Sequence, residues 1–242
     1  TPDTVFNIAS VSKQFTAFAI LQLEADGKLN IEDSIRKYLP ELPTYAQDVT
    51  VQNLLHHTGG LQDYLQLAEL SGFKLSQRLT REQAYDLVVR QNAAMFPAGF
   101  EFNYSNTGYF LLSMIIERVS GQTFKNYAEA RIFKPLGMAR STIVDRYPFD
   151  WSNVAQGYER ENKSLPFAAT ESVWEPTGDG QVYTNIKDIM LWLHNLETGQ
   201  VGGKALIDKM RRTMPLADGD LNRYAMGLGI GQYRGLHQVA HS

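Results

Sequence analysis

The chain has no cysteine, which excludes disulfides, thiolate metal sites and a cysteine nucleophile together. That absence leaves the redox compartment open. Positive charge is not in excess: 23 Lys and Arg stand against 26 Asp and Glu, a formal net charge of −3. Nucleic-acid or anionic-membrane binding needs clustered positive charge, so neither is expected. No apolar run reaches the roughly 18–20 residues that a membrane-spanning helix requires. The opening Thr1-Pro2-Asp3-Thr4 lacks a basic start followed by an apolar stretch, so no signal peptide is expected there. Fixed-period repeats and low-complexity tracts are absent too, which removes solenoids and disordered tails. What is left is a globular protein of 242 residues, long enough to bury a sizeable core.

Helical periodicity dominates the first half. Phe15, Ala17, Phe18, Ile20, Leu21 and Leu23 recur at helical spacing, and Gly27 supplies a stop. A short turn is expected over Ile31–Leu39, a short helix over Thr50–His57, and further helices over 81–90 and 105–119. The last of these carries Phe110, Leu111, Leu112, Met114, Ile115 and Ile116, enough to be buried nearly all round. In the second half Ser141–Val144 and Val154–Tyr158 read as short strands, and Ile186–Leu196 as a helix capped by Thr184 or Asn185. Arg223–Tyr233 and His237–Ala240 read as strands turning at Gly235. Helices first and strands late suggest an α+β fold.

Three Ser-x-x-Lys runs occur. Residues i and i+3 share a helix face, so the amine can stand beside the hydroxyl and take its proton. Ser34-Ile-Arg-Lys37 lies in a charged, solvated turn, and Ser71-Gly-Phe-Lys74 has no clear helix. Ser10-Val-Ser-Lys13 instead opens the most apolar helix of the first half, where free N–H groups and the helix dipole favour an oxyanion. The competing reading makes Ser10 or Ser12 a plain N-cap. Tyr104-Ser105-Asn106 precedes the second apolar helix; a phenol near a Lys ammonium is expected to have a lowered pKa and to act as base or acid. Tyr104 read alone is equally an ordinary half-buried aromatic. Tyr183-Thr184-Asn185 repeats the pattern where caps explain it. His241-Ser242 follows an apolar strand, and its imidazole and hydroxyl would line a substrate cleft; His57-Thr58-Gly59 reads better as a glycine-rich helix terminus.

Phe6–Thr16 with Leu21-Gln22-Leu23 and Gly27-Lys28-Leu29 closely resembles the serine β-lactamase and penicillin-binding-protein superfamily, in the branch of class C β-lactamases, D,D-peptidases, D-aminopeptidases and β-lactamase-like esterases. The likeness continues through Tyr38-Leu39-Pro40, Val51–Leu61, Pro97–Asn106, Pro135–Met138 and Gly178–Asp188, and ends at Val239–Ser242. It implies a serine hydrolase that forms an acyl-enzyme on an ester, a β-lactam or a D-amino-acid amide or peptide. Ser10 would be the nucleophile, Lys13 and Tyr104 would share the proton transfers, and Asn106 and His241 would bind substrate. The backbone N–H of Ser10 and one from a strand after the third motif would form the oxyanion hole.

The resemblance also implies one catalytic region over 1–242, helical over about 10–170 and strand-rich over about 171–242, packed on an antiparallel sheet cut at both ends. No metal or organic cofactor is expected, the partner is a small-molecule or peptide substrate, and family habit points to the cell envelope or secretion, with cytoplasmic members known. A non-catalytic, penicillin-recognising relative or an incomplete fragment is the alternative. The five histidines offer no His-Glu-x-x-His run, and Gly227-Leu-Gly229-Ile-Gly231 lacks the helix a phosphate loop needs, so close strand packing is expected there.

Overall fold

The apolar run after Ser12 becomes α1 (Lys13–Ala25), and the rest of the chain encloses it. In the computed structural model, which describes residues 1–74, 77–160, 162–170 and 173–242, every residue from Lys13 to Leu23 is buried. A helix apolar on nearly all faces can be stable only when wrapped in this way. Ahead of it lies β1 (Phe6–Asn7). After it come α2 (Val51–Leu55), α3 (Tyr64–Leu70), α4 (Arg81–Val89) and α5 (Asn106–Ser120). Capping boxes start α2 (Thr50 with Asn53) and α4 (Thr80 with Gln83), and Gly121 closes α5 in the left-handed conformation at φ 71°. Helix α6 (Phe124–Ala128) runs through a π-turn at Glu129–Phe133 into α7 (Lys134–Leu136).

Strands β2 (Thr142–Ile143), β3 (Gly157–Glu159), β4 (Ala168–Thr170) and β5 (Val182–Thr184) lead to α8 (Ile186–Thr198) and α9 (Gly203–Met210), and the hairpin β6 (Gly229–Tyr233) and β7 (Leu236–Ala240) follows. The sheets are antiparallel and short: β1-β5-β2, β3-β4 and β6-β7. Phe6 stands opposite Thr184 and Thr142 opposite Tyr183, so β5 joins the start of the chain to its middle. The architecture is α+β, with helices packed on antiparallel sheet as expected. The division into a helical and a strand-rich part is less sharp: β2, β3 and β4 lie within the first 170 residues, and α8 and α9 after them. The expected changeover at 170–171 borders Glu171 and Ser172, which lie outside the described residues.

Two expected strands are cut short. Val154–Tyr158 enters a strand only at Gly157. Arg223–Tyr233 pairs as a strand only from Gly229. Gly227 takes φ 75°, and a Cβ there would stand 2.8 Å from the Lys13 carbonyl oxygen. The backbone turns here to press against the first residues of α1, and only glycine permits both the angle and the approach. Among the described residues no helix is long and apolar enough to cross a membrane.

Helix α8 docks on α1 through Trp192, which is fully buried with ring centroids 4.5 Å from Phe15 and 5.2 Å from Phe18. Its indole N–H donates to the Gln14 side-chain oxygen at 2.8 Å. Trp192→Ala empties this contact and orphans Gln14. It is expected to lower stability by about 3–5 kcal/mol, seen as a fall in the denaturant midpoint at unchanged slope. A loss under about 1 kcal/mol would show that the α1–α8 contact is not part of the cooperative core.

Candidate active site

A strained turn delivers Ser10. Residues Ala9–Ser12 form a single 3₁₀ turn before α1, and Ala9 sits at φ 44°, a region that L-residues rarely adopt. Asn7 holds that turn: its side-chain oxygen accepts the Ala9 N–H at 2.7 Å and its amide donates to the Gly180 carbonyl at 3.1 Å. The following polar residues are each tied to a distant element. Ser12 accepts the Val182 N–H at 2.9 Å, and Thr16 donates to the Gly178 carbonyl at 2.6 Å. Neither Ser10 nor Ser12 caps a helix through its side chain, which removes the N-cap reading.

Lys13 stands one turn on from Ser10, fully buried. Its ammonium donates to Ser10 Oγ at 3.1 Å, to Asn106 Oδ1 at 2.9 Å and to the Asp179 carbonyl at 2.7 Å. Burial penalises the charged amine and pushes Lys13 down to about 8, with the carboxylates of Asp179 and Asp63 pulling the other way.

Tyr104 and Asn106 arrive on the loop that starts α5. Asp63 caps α3 through the Leu65 N–H and also accepts the Asn106 N–H. Thr107 is shared between the two helix starts, donating to Gln62 O and accepting the Tyr64 N–H. Tyr104 leans over Lys13, whose nitrogen lies 4.9 Å from the ring centroid, and its hydroxyl lies near enough to Ser10 for that side chain to oppose part of the effect of burial. Its proton affinity corrects the expectation. Burial pushes Tyr104 up to about 12, because desolvation outweighs the Ser10 contact and Lys13 faces the ring rather than the oxygen. It is therefore a phenol across the physiological range.

His241 reaches the same place from the far end of the chain. Its Nε2 is 2.9 Å from the Tyr224 hydroxyl and its ring centroid 6.2 Å from that of Tyr104. Burial, with a smaller push from Lys13, lowers its pKa and keeps it neutral. His57 closes the helix terminus after α2 as expected, yet it also underlies the site. Its ring is 4.3 Å from Tyr104 and 4.5 Å from Tyr224, and its Nδ1 accepts the Ser105 N–H at 3.1 Å. Burial holds it neutral too.

The five singled-out residues, Ser10, Lys13, Tyr104, Asn106 and His241, thus converge from three separate stretches of chain. The rival Ser-x-x-Lys and Tyr-x-Asn motifs do not. Lys37 pairs with Asp33 on the surface, the Ser71 hydroxyl donates to Ala68 O, and Asn185 caps α8. Sequence reasoning missed Asp63, Tyr64, Asp179 and Tyr224. A charged residue between two glycines, Gly178-Asp179-Gly180, was the one local oddity that marked Asp179. Among the described residues no three His, Asp or Glu side chains converge to hold a metal.

Comparison with known proteins places the chain among relatives of one family. The beta-lactamase family model matches residues 1–242. A penicillin-binding protein of Bacillus subtilis (strain 168) is 29% identical over 239 residues, covering 93% of this chain and 52% of its own length. A D-aminopeptidase of Brucella anthropi is 27% identical over 243 residues, covering 100% of this chain and 45% of its own. Among solved structures, the D-amino acid amidase from Ochrobactrum anthropi SV3, complexed with L-phenylalanine amide, superposes with a TM-score of 0.79 at 26% identity, covering 100% of this chain and 70% of that one. The chain spans about half the length of the curated relatives it matches.

Proposed function

The chain belongs to the beta-lactamase family, and on that premise we propose that it is a serine hydrolase working through an acyl-enzyme at Ser10. One observation carries the reading: a fully buried amine with lowered proton affinity lies 3.1 Å from the Ser10 hydroxyl. Ser10 Oγ attacks the substrate carbonyl carbon while its proton passes to neutral Lys13. As the tetrahedral adduct collapses, the bond to the leaving nitrogen or oxygen breaks. The leaving group takes a proton from the Lys13 ammonium or from the Tyr104 phenol, which Lys13 then reprotonates. Water then attacks the Ser10 ester, with the same groups returning the proton. Tyr104, held as a phenol, acts as donor and relay rather than as a resting phenolate. Asn106, whose oxygen is bound to Lys13, turns its amide N–H₂ towards a substrate carbonyl, and neutral His241 offers a second polar contact.

Amides and peptides of D-amino acids, and simple esters, are the proposed substrates, in keeping with the D-aminopeptidase and D-amino acid amidase among the similar proteins. Incubating the full-length protein with a fluorescent penicillin and a fluorophosphonate, followed by intact-mass measurement, tests the first step. One adduct per chain is expected, lost in Ser10→Ala; an adduct that survives Ser10→Ala sinks the proposal. A panel of a D-amino-acid amide, a short-chain nitrophenyl ester and a chromogenic cephalosporin then sorts substrates. The amide and ester should turn over, whereas the cephalosporin should acylate and release slowly.

A further inference from the structure

The residue whose carbonyl holds Lys13 carries a carboxyl group that the proton transfers above do not use. Asp179 sits in Gly178-Asp179-Gly180, is 6% exposed, and touches Lys13 through its backbone, the carbonyl accepting from Nζ at 2.7 Å. Its side chain points into the protein. Oδ2 accepts the hydroxyl of fully buried Tyr64 at 2.6 Å, and Oδ1 has no protein hydrogen-bond partner among the described residues. The loop cannot shift easily. A Cβ on Gly178 would meet the Tyr109 carbonyl oxygen at 2.5 Å, and Thr16 holds the Gly178 carbonyl from α1. A buried carboxylate with a single donor is costly unless a cation shares its surroundings. Lys13 is that cation.

We propose that Asp179, clamped by Tyr64, is a positioning residue for Lys13: its carbonyl aims the amine at Ser10, and its carboxylate supplies the countercharge for the ammonium that forms when Ser10 gives up its proton. The proposal rests on Lys13 serving as the base of the acyl-enzyme reading. The charged and titratable groups around Lys13 agree with this role. Asp63 at the start of α3 is the second carboxylate it senses, and His57, after α2, and His241 are both neutral. Tyr104 and Tyr109 present ring faces, at 4.9 and 5.7 Å. Burial leaves the Asp179 carboxyl above its usual value, with Lys13 and Tyr64 pulling the other way, so the lysine and the carboxylate titrate as a coupled pair.

The consequence is a crossing pair of pH profiles. With Asp179→Asn the ammonium loses its countercharge, so Lys13 deprotonates at lower pH but is a weaker base. The rising limb of acylation should move down by about one pH unit, with acylation about threefold faster at low pH and about threefold slower on the high-pH plateau. A merely structural role would scale the rate alike at every pH. Tyr64→Phe removes the carboxylate's donor and should move the limb in the same direction by less, and it serves as the second variant if Asp179→Asn does not fold. Lysine side-chain NMR titration of the full-length protein, with the Lys13 resonance identified by its loss in Lys13→Met, reads the same shift without catalysis. If the Lys13 midpoint is unchanged in folded Asp179→Asn, the proposal is overturned. A Lys13 midpoint that moves in a protein forming no Ser10 adduct would leave the Lys13–Asp179 coupling standing but remove the hydrolase reading, and with it the catalytic purpose of that coupling.

Discussion

Turnover of any acyl substrate falls about a million-fold in Ser10→Ala and about a thousand- to ten-thousand-fold in Lys13→Met, and the double variant is no slower than Ser10→Ala alone. The lack of additivity is the informative part. Lys13 contributes by receiving the proton of Ser10 over 3.1 Å, so once the hydroxyl is gone the amine has nothing to accept. Independent roles, such as substrate binding through Lys13, would add. Methionine is chosen because it fills the buried lysine stem without the charge, so the packing of α1 is kept. Product formation measured over long incubations at high protein concentration checks the series, with thermal unfolding confirming that each variant is folded. A double variant clearly slower than Ser10→Ala would mean that Lys13 acts elsewhere.

Acylation by the unmodified protein rises tenfold per pH unit up to about pH 8 and is flat above it. The sign follows from the charge of the base: only neutral Lys13 accepts a proton, and with a midpoint of about 8 the neutral fraction grows until that pH. Were Tyr104 the resting base, the limb would continue towards about 12, and a limb near 6 would point to a histidine. The pH at which the rate levels off therefore identifies the base. Stability responds through the same group. Lys13 binds its proton less readily in the fold than its ordinary value of 10.5, so between about pH 8 and 10.5 the unfolded chain holds a proton that the folded chain has released. Stability attributable to Lys13 thus rises with pH through that window, by about 3 kcal/mol, and is lost again as pH falls towards 8. Subtracting the Lys13→Met stability profile from that of the parent isolates this contribution from the other lysines and tyrosines that titrate there. A difference profile that is flat from pH 7.5 to 10.5 would contradict the burial of the amine.

Much of this was legible in the chain itself. An apolar helix beginning at Lys13 and a second near residue 106 follow from periodicity, and both formed within a residue or two of expectation. The choice of Ser10 over Ser34 and Ser71 followed from what each pair was embedded in, and the surface ion pair of Lys37 and the helix-end bond of Ser71 agree with that choice. The Arg223–Tyr233 stretch was less legible. Its composition is strand-like throughout, but a left-handed turn at Gly227 is set by the approach to α1, which leaves no local mark beyond one glycine among several.

By itself the sequence marked the pairing of Ser10 with Lys13, since a three-residue spacing at the start of an apolar helix places two side chains on one face. Its lack of cysteine likewise excluded a thiolate nucleophile. Tertiary structure alone decided how strongly each group holds its proton. Lys13 is lowered and Tyr104 raised for one reason, removal from water, and that depends on packing from α5, the Gly178–Gly180 loop and the β6-β7 end of the chain. The Asp179 carbonyl that steadies Lys13 lies 166 residues away in sequence, and His241 comes from farther still. Spacing within a helical turn is a local property; desolvation and the field of distant charges exist only once the chain has closed around them.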